Sequence, residues 1–242
     1  MTFNFAPMLK YALYFRQGVI YTVLLSACTV AIGFVLAMAL ALMRIAKPGR
    51  SAVSKVLVKA AHAVSGVYIE IIRGTPMLVQ LFIVYYIVFG PGGFSAPEFD
   101  LFGFISGEQF VPGIIALSLN SGAYVAEIVR AGIQGVDYGQ TEACRSLGMT
   151  RFQNMRYIVM PQAIKNILPA IANEFVTIIK ESSVCSVIGM QEIMFNAKLV
   201  QGASFMPGEP LLIAAALYLC LTVPTSKVIA YFERRMRSGD QR

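Results

Sequence analysis

The chain has 242 residues, 57% of them hydrophobic and only 14% charged, with a mean hydropathy of +0.65. A soluble domain carries roughly 25% charge, so this composition excludes an ordinary soluble fold and points to lipid. The net charge of +7 reads, in a membrane chain, as basic loops on one side of the bilayer rather than as a nucleic-acid surface, and no nucleic-acid partner is expected.

The N-terminal segment Met1 to Gln17 is mixed in character and has no compact signal-peptide pattern, so it is expected to be retained. Gly18 to Met43 follows as 26 residues without a charge, enough for about 39 Å of helix, and is the first expected span. The second, Ala60–Phe89, is apolar but interrupted by Glu70 and Arg73. The third covers residues 111–131. The fourth, 166–190, contains Glu174, Lys180 and Glu181, and the fifth covers 210–232. The expected fold is therefore a single all-α transmembrane domain over residues 1–242 with five transmembrane helices.

The basic residues orient these spans. Arg44, Lys47, Arg50, Lys55 and Lys59 lie between spans one and two. Arg130, Arg145, Arg151, Arg156 and Lys165 lie between three and four, and Lys227, Arg234, Arg235, Arg237 and Arg242 at the C-terminal end. The loop 90–110 has no Lys or Arg, and the loop 191–209 has only Lys198. The positive-inside rule puts the N-terminus outside and the C-terminus in the cytosol; Lys10 and Arg16 sit on the wrong side and are outvoted.

The loop between spans three and four, about 137–161, has the local chemistry of helix, turn, helix. Asp137 is placed to cap a first helix, with Gln140 three residues on. Gly148 suits the left-handed position that ends it. Thr150-Arg-Phe-Gln153 matches a capping box, and Phe152, Met155 and Val159 read as one apolar face. Pro161 is expected to bend the chain back toward the membrane. Such an insert either docks in a groove of a partner or lies on lipid headgroups.

Glu142-Ala143-x-x-x-x-Gly148, followed after nine residues by Ile158-x-Met160-Pro161, resembles the EAA motif of permease subunits in binding-protein-dependent ABC importers. Cys144 stands where a second alanine is usual, and Met160 where leucine is usual. Glu70-Ile-Ile-Arg73-Gly74-Thr75-Pro76 with Val79-Gln80-Leu81 is similar to the polar amino-acid group (histidine, glutamine or arginine type) of these permeases. So are Gly122-Ala123-Tyr124 with Ala126-Glu127-Ile128, and Asn173-Glu174-Phe175 leading to Lys180-Glu181-Ser182-Ser183. The resemblance covers roughly residues 18 to 235. It implies a multi-pass protein of the prokaryotic plasma (inner) membrane and a role for the insert as a cytosolic coupling-helix pair, with Glu142, Ala143, Arg145, Gly148 and Pro161 at the contact with an ATP-binding ABC subunit. It also implies a second permease subunit, an extracytoplasmic amino-acid-binding protein and an amino-acid substrate. The chain has no phosphate-cradling G-x-x-x-x-G-K-[ST], so no cofactor is expected on it; ATP and Mg belong to the partner ATPase.

Charges inside a membrane are costly and each needs a reason. Glu70 with Arg73, and Glu127 with Arg130, stand at i, i+3 and read as structural ion pairs near the cytosolic rim. Glu174 lies eight residues past Asn166, about 12 Å in, with no basic residue three or four positions away. Asn120 reaches a similar depth from the other side. These two are candidates for a substrate head group, or else cross-links within the bundle. Lys180, Glu181, Ser182 and Ser183 either meet a zwitterion or break the helix.

Two other classes compete with an ATP-driven permease: an ion channel or gradient-coupled carrier with no ATPase, and a membrane enzyme or scaffold. The enzyme lacks players. The one histidine, His62, lies beside Lys59 near an interface, and Cys28, Cys144, Cys185 and Cys220 have no metal-ligand spacing.

Overall fold

The structure is a computed structural model in which residues 3–49 and 51–237 are described; Arg50 and Arg242, two of the orienting cations, lie outside them. A 3-10 turn, Ala6–Tyr11, leads into α1 (Ala12–Ile45), a helix of 34 residues and about 51 Å. Its principal neighbour is α4 (Gly107–Gln134). Small residues make that contact close. Ser118 Oγ donates to the Thr29 carbonyl at 3.3 Å, and a Cβ on Gly33 would stand 3.3 Å from Ser121. Close approach of this kind drives helix association where water supplies no hydrophobic force.

The second expected span is not one helix. α2 (Ala52–Gly74) and α3 (Met77–Phe82), the latter continued by a π-helical stretch Ile83–Val88, meet at 109°. Pro76 causes the break. It offers no N–H to the preceding turn and holds Thr75 extended, at φ −118° and ψ 146°. The freed carbonyls need donors, and Gln80 supplies them. Its amide nitrogen donates to Ile72 O at 2.6 Å and to Thr75 O at 3.0 Å. Asn120 on α4 then donates to Gln80 Oε1 at 3.0 Å, fixing the corner to the bundle.

The loop after α3 contains a minimal antiparallel hairpin, β1 (Asp100–Leu101) with β2 (Ile105–Ser106), in the register Asp100 to Ser106; the all-α expectation needs that addition. Beyond α4 come α5 (Tyr138–Ser146) and α6 (Arg151–Asn154), then α7 (Met160–Glu181). The fourth apolar stretch departs furthest from expectation. α7 ends in a 3-10 turn, Ser182–Ile188, closed by Gly189 at φ +85°. A further helix, α8 (Ile193–Ser204), occupies what hydropathy assigns to a loop. Glu192, wholly buried, caps it by accepting from the N–H groups of Met194 and Phe195 at 2.9 and 2.7 Å, and takes a third hydrogen bond from the Tyr218 hydroxyl at 2.5 Å. Tyr218 belongs to α9 (Glu209–Arg237).

Among the described residues, three helices are long and apolar enough to cross a membrane: α1 with its 3-10 lead, α4 and α9. The bent α2–α3 pair makes a fourth if counted as one. The buried core forms along α1 and α4 in two clusters, one around Leu25, Leu81 and Leu117 and one around Ala41, Ile69 and Ala126. A third cluster joins Phe15 of α1 to Ile193 and Val200 of α8 and Ala214 of α9.

Candidate functional site

The insert is built as its local chemistry dictates, up to Asn154. Asp137 Oδ1 accepts from Gly139 N at 2.6 Å and starts α5. The helix closes in a Schellman motif. Met149 N donates to Cys144 O and Gly148 N to Arg145 O, both at 3.0 Å, with Gly148 at φ +76°. Thr150 and Gln153 form the reciprocal capping box of α6. Asn154 Nδ2 reaches Thr141 Oγ1 at 3.2 Å and ties the two short helices together.

After Asn154 the structure corrects the expectation. A π-helical stretch, Met155–Val159, carries α6 without interruption into α7. Pro161 does not end the helix: it is the second residue of α7, directly after the π-helical stretch, and the chain runs on through it as helix. The wide π turn also spoils the i, i+3, i+7 count. Phe152 is 71% exposed while Val159 is buried, so the two do not share a face. The exposed large apolar side chains of the insert are instead Tyr138, Leu147, Phe152 and Tyr157. Glu142, Ala143, Arg145 and Gly148 are all exposed around the same turn, and Pro161 is exposed two turns further on.

Of the two expected ion pairs, Glu127–Arg130 forms and Glu70–Arg73 does not, because Arg73 turns to Glu127 as well. Arg130 Nε donates to Glu127 at 2.8 Å and a second arm of the same guanidinium closes a bidentate pair, while Arg73 approaches from α2 at 3.7 Å and stacks over Tyr124 at 5.4 Å. Glu70 is exposed and makes no ion pair with Arg73. The α2–α4 packing turns Arg73 across the interface instead of along its own helix.

On α7, Gln162, Asn166, Asn173 and Lys180 are exposed and fall within about 40° of one another around the axis, at 100° per residue. Glu174 and Glu181, two turns apart, lie about 60–80° further round the axis at 100° per residue and are half-buried. Glu181 and the Ser121 hydroxyl of α4 lie close enough to interact with the Glu174 carboxylate, and Ser121 is buried. Lys180 borders a groove with Asn173 and with Thr222, Ser226 and Lys227 of α9. Ser182 and Ser183 turn back onto their own helix, donating to Ile179 O at 2.8 Å and Lys180 O at 2.7 Å. Asn120 is buried with its amide nitrogen committed to Gln80, so the neighbour of Glu174 on α4 is Ser121.

Residues 52–238 match the family described as binding-protein-dependent transport system inner membrane component. The chain belongs to this family. A putative glutamine transport system permease protein GlnP of Rickettsia conorii is 37% identical to this transport component over 220 residues, 91% of each chain. The arginine transport system permease protein ArtQ of Bacillus subtilis is 34% identical over 240 residues, 99% of this chain and 100% of that one. Among solved structures, one described as an amino acid ABC transporter with histidines superposes with a TM-score of 0.84 at 43% identity, over 97% of this chain and 100% of that chain. The MetNI methionine transporter, at 17% identity and a TM-score of 0.68, shares the fold. The component is a permease subunit of the inner membrane, not an enzyme.

Three permease residues that hydropathy does not single out make the bundle's buried polar contacts. Gln80 lies inside a motif segment and Ser121 next to one, and both have ordinary polarity for a helix interface. Glu192 is disguised by the loop-like composition around it, although an acidic residue directly before Ile193 and the following helix is a recognisable start signal.

Proposed function

We propose that the chain is the transmembrane subunit of an ATP-driven importer for polar amino acids. The observation that carries the reading is the polar face of α7 with Glu174 at its edge. Hydrocarbon does not tolerate an exposed row of Gln162, Asn166, Asn173 and Lys180, so the row faces a water-filled passage or another chain. A half-buried carboxylate beside a buried hydroxyl suits the ammonium of an amino acid, and Lys180 suits a carboxylate. The relatives named for glutamine and arginine transport support the same substrate class.

In this reading the domain crosses the membrane five times, with α7, the 3-10 turn and α8 together making the fourth crossing. The N-terminus is outside, and the α5–α6 pair lies in the cytosol as the coupling helices. Leu147, Phe152 and Tyr157 are the apolar contacts offered to an ATPase subunit, and ATP and Mg are held there, not on this chain. A second permease chain completes the passage, and a binding protein delivers substrate from outside.

Proteoliposomes containing the chain with its ATPase subunit, ATP in the lumen and a loaded binding protein outside test this reading. The proposal expects amino-acid uptake that requires ATP and binding protein and survives ionophores. Uptake that follows an ion gradient without ATP would support a gradient-coupled carrier.

A further inference from the structure

At the basic end of the bundle, where α1 and α4 stop, a cavity of about 730 Å³ opens between them and the α5–α6 pair. Five cations border it: Arg44 and Lys47 from the end of α1, Arg130 from α4, which is already paired with Glu127, and Arg145 and Arg151 from the insert. Asp137 is the acid on its wall, and that carboxylate is engaged in capping α5. Two buried polar atoms on the same wall have no partner, Arg44 Nε and the side-chain oxygen of Asn154. Asn154 is only 9% exposed. The amide has two settings; in the alternative one, the oxygen accepts from Thr141 and the NH2 group is a further donor beside the cavity. A space ringed by guanidinium groups, with the Arg44 Nε donor unfilled beside it, fits a multidentate oxyanion.

We propose that this cavity holds the phosphate of an anionic phospholipid headgroup, which bridges α1 and α4 to the α5–α6 pair. Its level in the fold favours a lipid. The uncharged run of α1 ends at Met43 and the cavity begins at Arg44, so the site sits at the depth of the headgroups on the side that carries the basic loops, where clusters of Lys and Arg between helices select acidic lipids. An acidic segment of the ATPase subunit fits less well. The apolar surface of the insert, Leu147 and Phe152, at 82% and 71% exposed, is what the insert presents to a partner, whereas the cavity lies between the insert and the spans. A lipid here makes the mechanical link between insert and spans depend on the membrane's acidic-lipid content, a property beyond the transport function itself.

The full chain, extracted from vesicles of equal phosphatidylglycerol and phosphatidylcholine, tests this by native mass spectrometry after a detergent wash. The wild type should retain phosphatidylglycerol in preference to phosphatidylcholine. Arg44→Gln should lower that preference about fivefold, the value of one cation near an acidic surface. Asn154→Asp, which places a carboxylate on the cavity wall, should lower it at least as much. Arg16→Gln, at the opposite end of α1, should leave it unchanged. Thermal unfolding of each variant checks the fold independently of lipid, and Arg44→Lys, which keeps the charge, should recover most of the preference. Millimolar inorganic phosphate retained in place of lipid, and lost in the same variants, would keep the oxyanion site but assign it to free phosphate. Equal retention of the two lipids with no phosphate bound, or equal losses in Arg16→Gln and Arg44→Gln, would overturn the proposal. Lipid retention needs neither ATP nor substrate, so its outcome is separate from that of the uptake assay.

Discussion

Gly148 is the joint of the insert, and its substitution isolates backbone strain from packing. The residue sits at φ +76° with no heavy atom within 4 Å of where a Cβ would be. A side chain there meets open space, and the whole cost comes from holding an L-residue in the left-handed region, about 1–2 kcal/mol. Valine, branched at Cβ, falls at or above the top of that range, alanine inside it, and asparagine below it because it visits the region readily. A loss of 1–2 kcal/mol changes the population of the closed turn by a factor of about 5–30. The transmembrane core should not be affected. The assay is uptake per ATP hydrolysed in proteoliposomes, with the unfolding temperature of the complex measured on the same preparation. The expected order of coupling is Gly148, then Gly148→Asn, Gly148→Ala and Gly148→Val, at nearly constant unfolding temperature. Gly148→Val with full coupling, or a series in which coupling falls only as thermal stability falls, would refute the argument.

Gly132 provides the opposite case. A Cβ there would stand 2.3 Å from Ile167 Cγ1, so Gly132→Ala should destabilise the α4–α7 contact by about 1–3 kcal/mol, read as a lower unfolding temperature. Tyr218→Phe removes one donor from the buried Glu192 carboxylate and should cost about 1.5–3 kcal/mol, measured by chemical unfolding in detergent. Arg130→Ala should cost more than Arg73→Ala, because Arg130 holds Glu127 bidentately whereas Arg73 is 3.7 Å away and 42% exposed; double-mutant cycles with Glu127→Ala separate the two couplings. A cysteine at Ser95 should be labelled in intact cells and one at Ser146 only after permeabilisation; labelling of both from one side would contradict the proposed orientation.

The parts of the fold legible in the sequence are those governed by neighbours within a few residues. Asp137, Gly148 and the Thr150–Gln153 box act through bonds spanning two to five residues, and each falls where the sequence puts it. The long uncharged run of α1 is legible because nothing interrupts it. Hydropathy failed where a polar residue is satisfied at a distance. It averages across Thr75 and Pro76 and so merges α2 with α3, because Gln80 and Asn120 repair the break from outside the window. Gln191 and Glu192 look like a loop, yet the α8 N-terminus and Tyr218, 26 residues on, receive the carboxylate. The partner of Arg73 is likewise across an interface, which spacing along one helix cannot reveal. For the candidate site, the sequence supplied Glu174 and its depth, but its neighbour Ser121 depends on how α4 is rotated.

In the proposed permease the polar face of α7 lines the passage, with Glu174 in contact with substrate. Uptake and thermal stability of Glu174→Gln, measured on one purified preparation with the ATPase subunit and loaded binding protein, test it most directly. Uptake should fall while assembly, unfolding temperature and part of the stimulated ATP hydrolysis remain. Full uptake of every amino acid the binding protein accepts, or a loss of assembly that precedes any loss of transport, would contradict it.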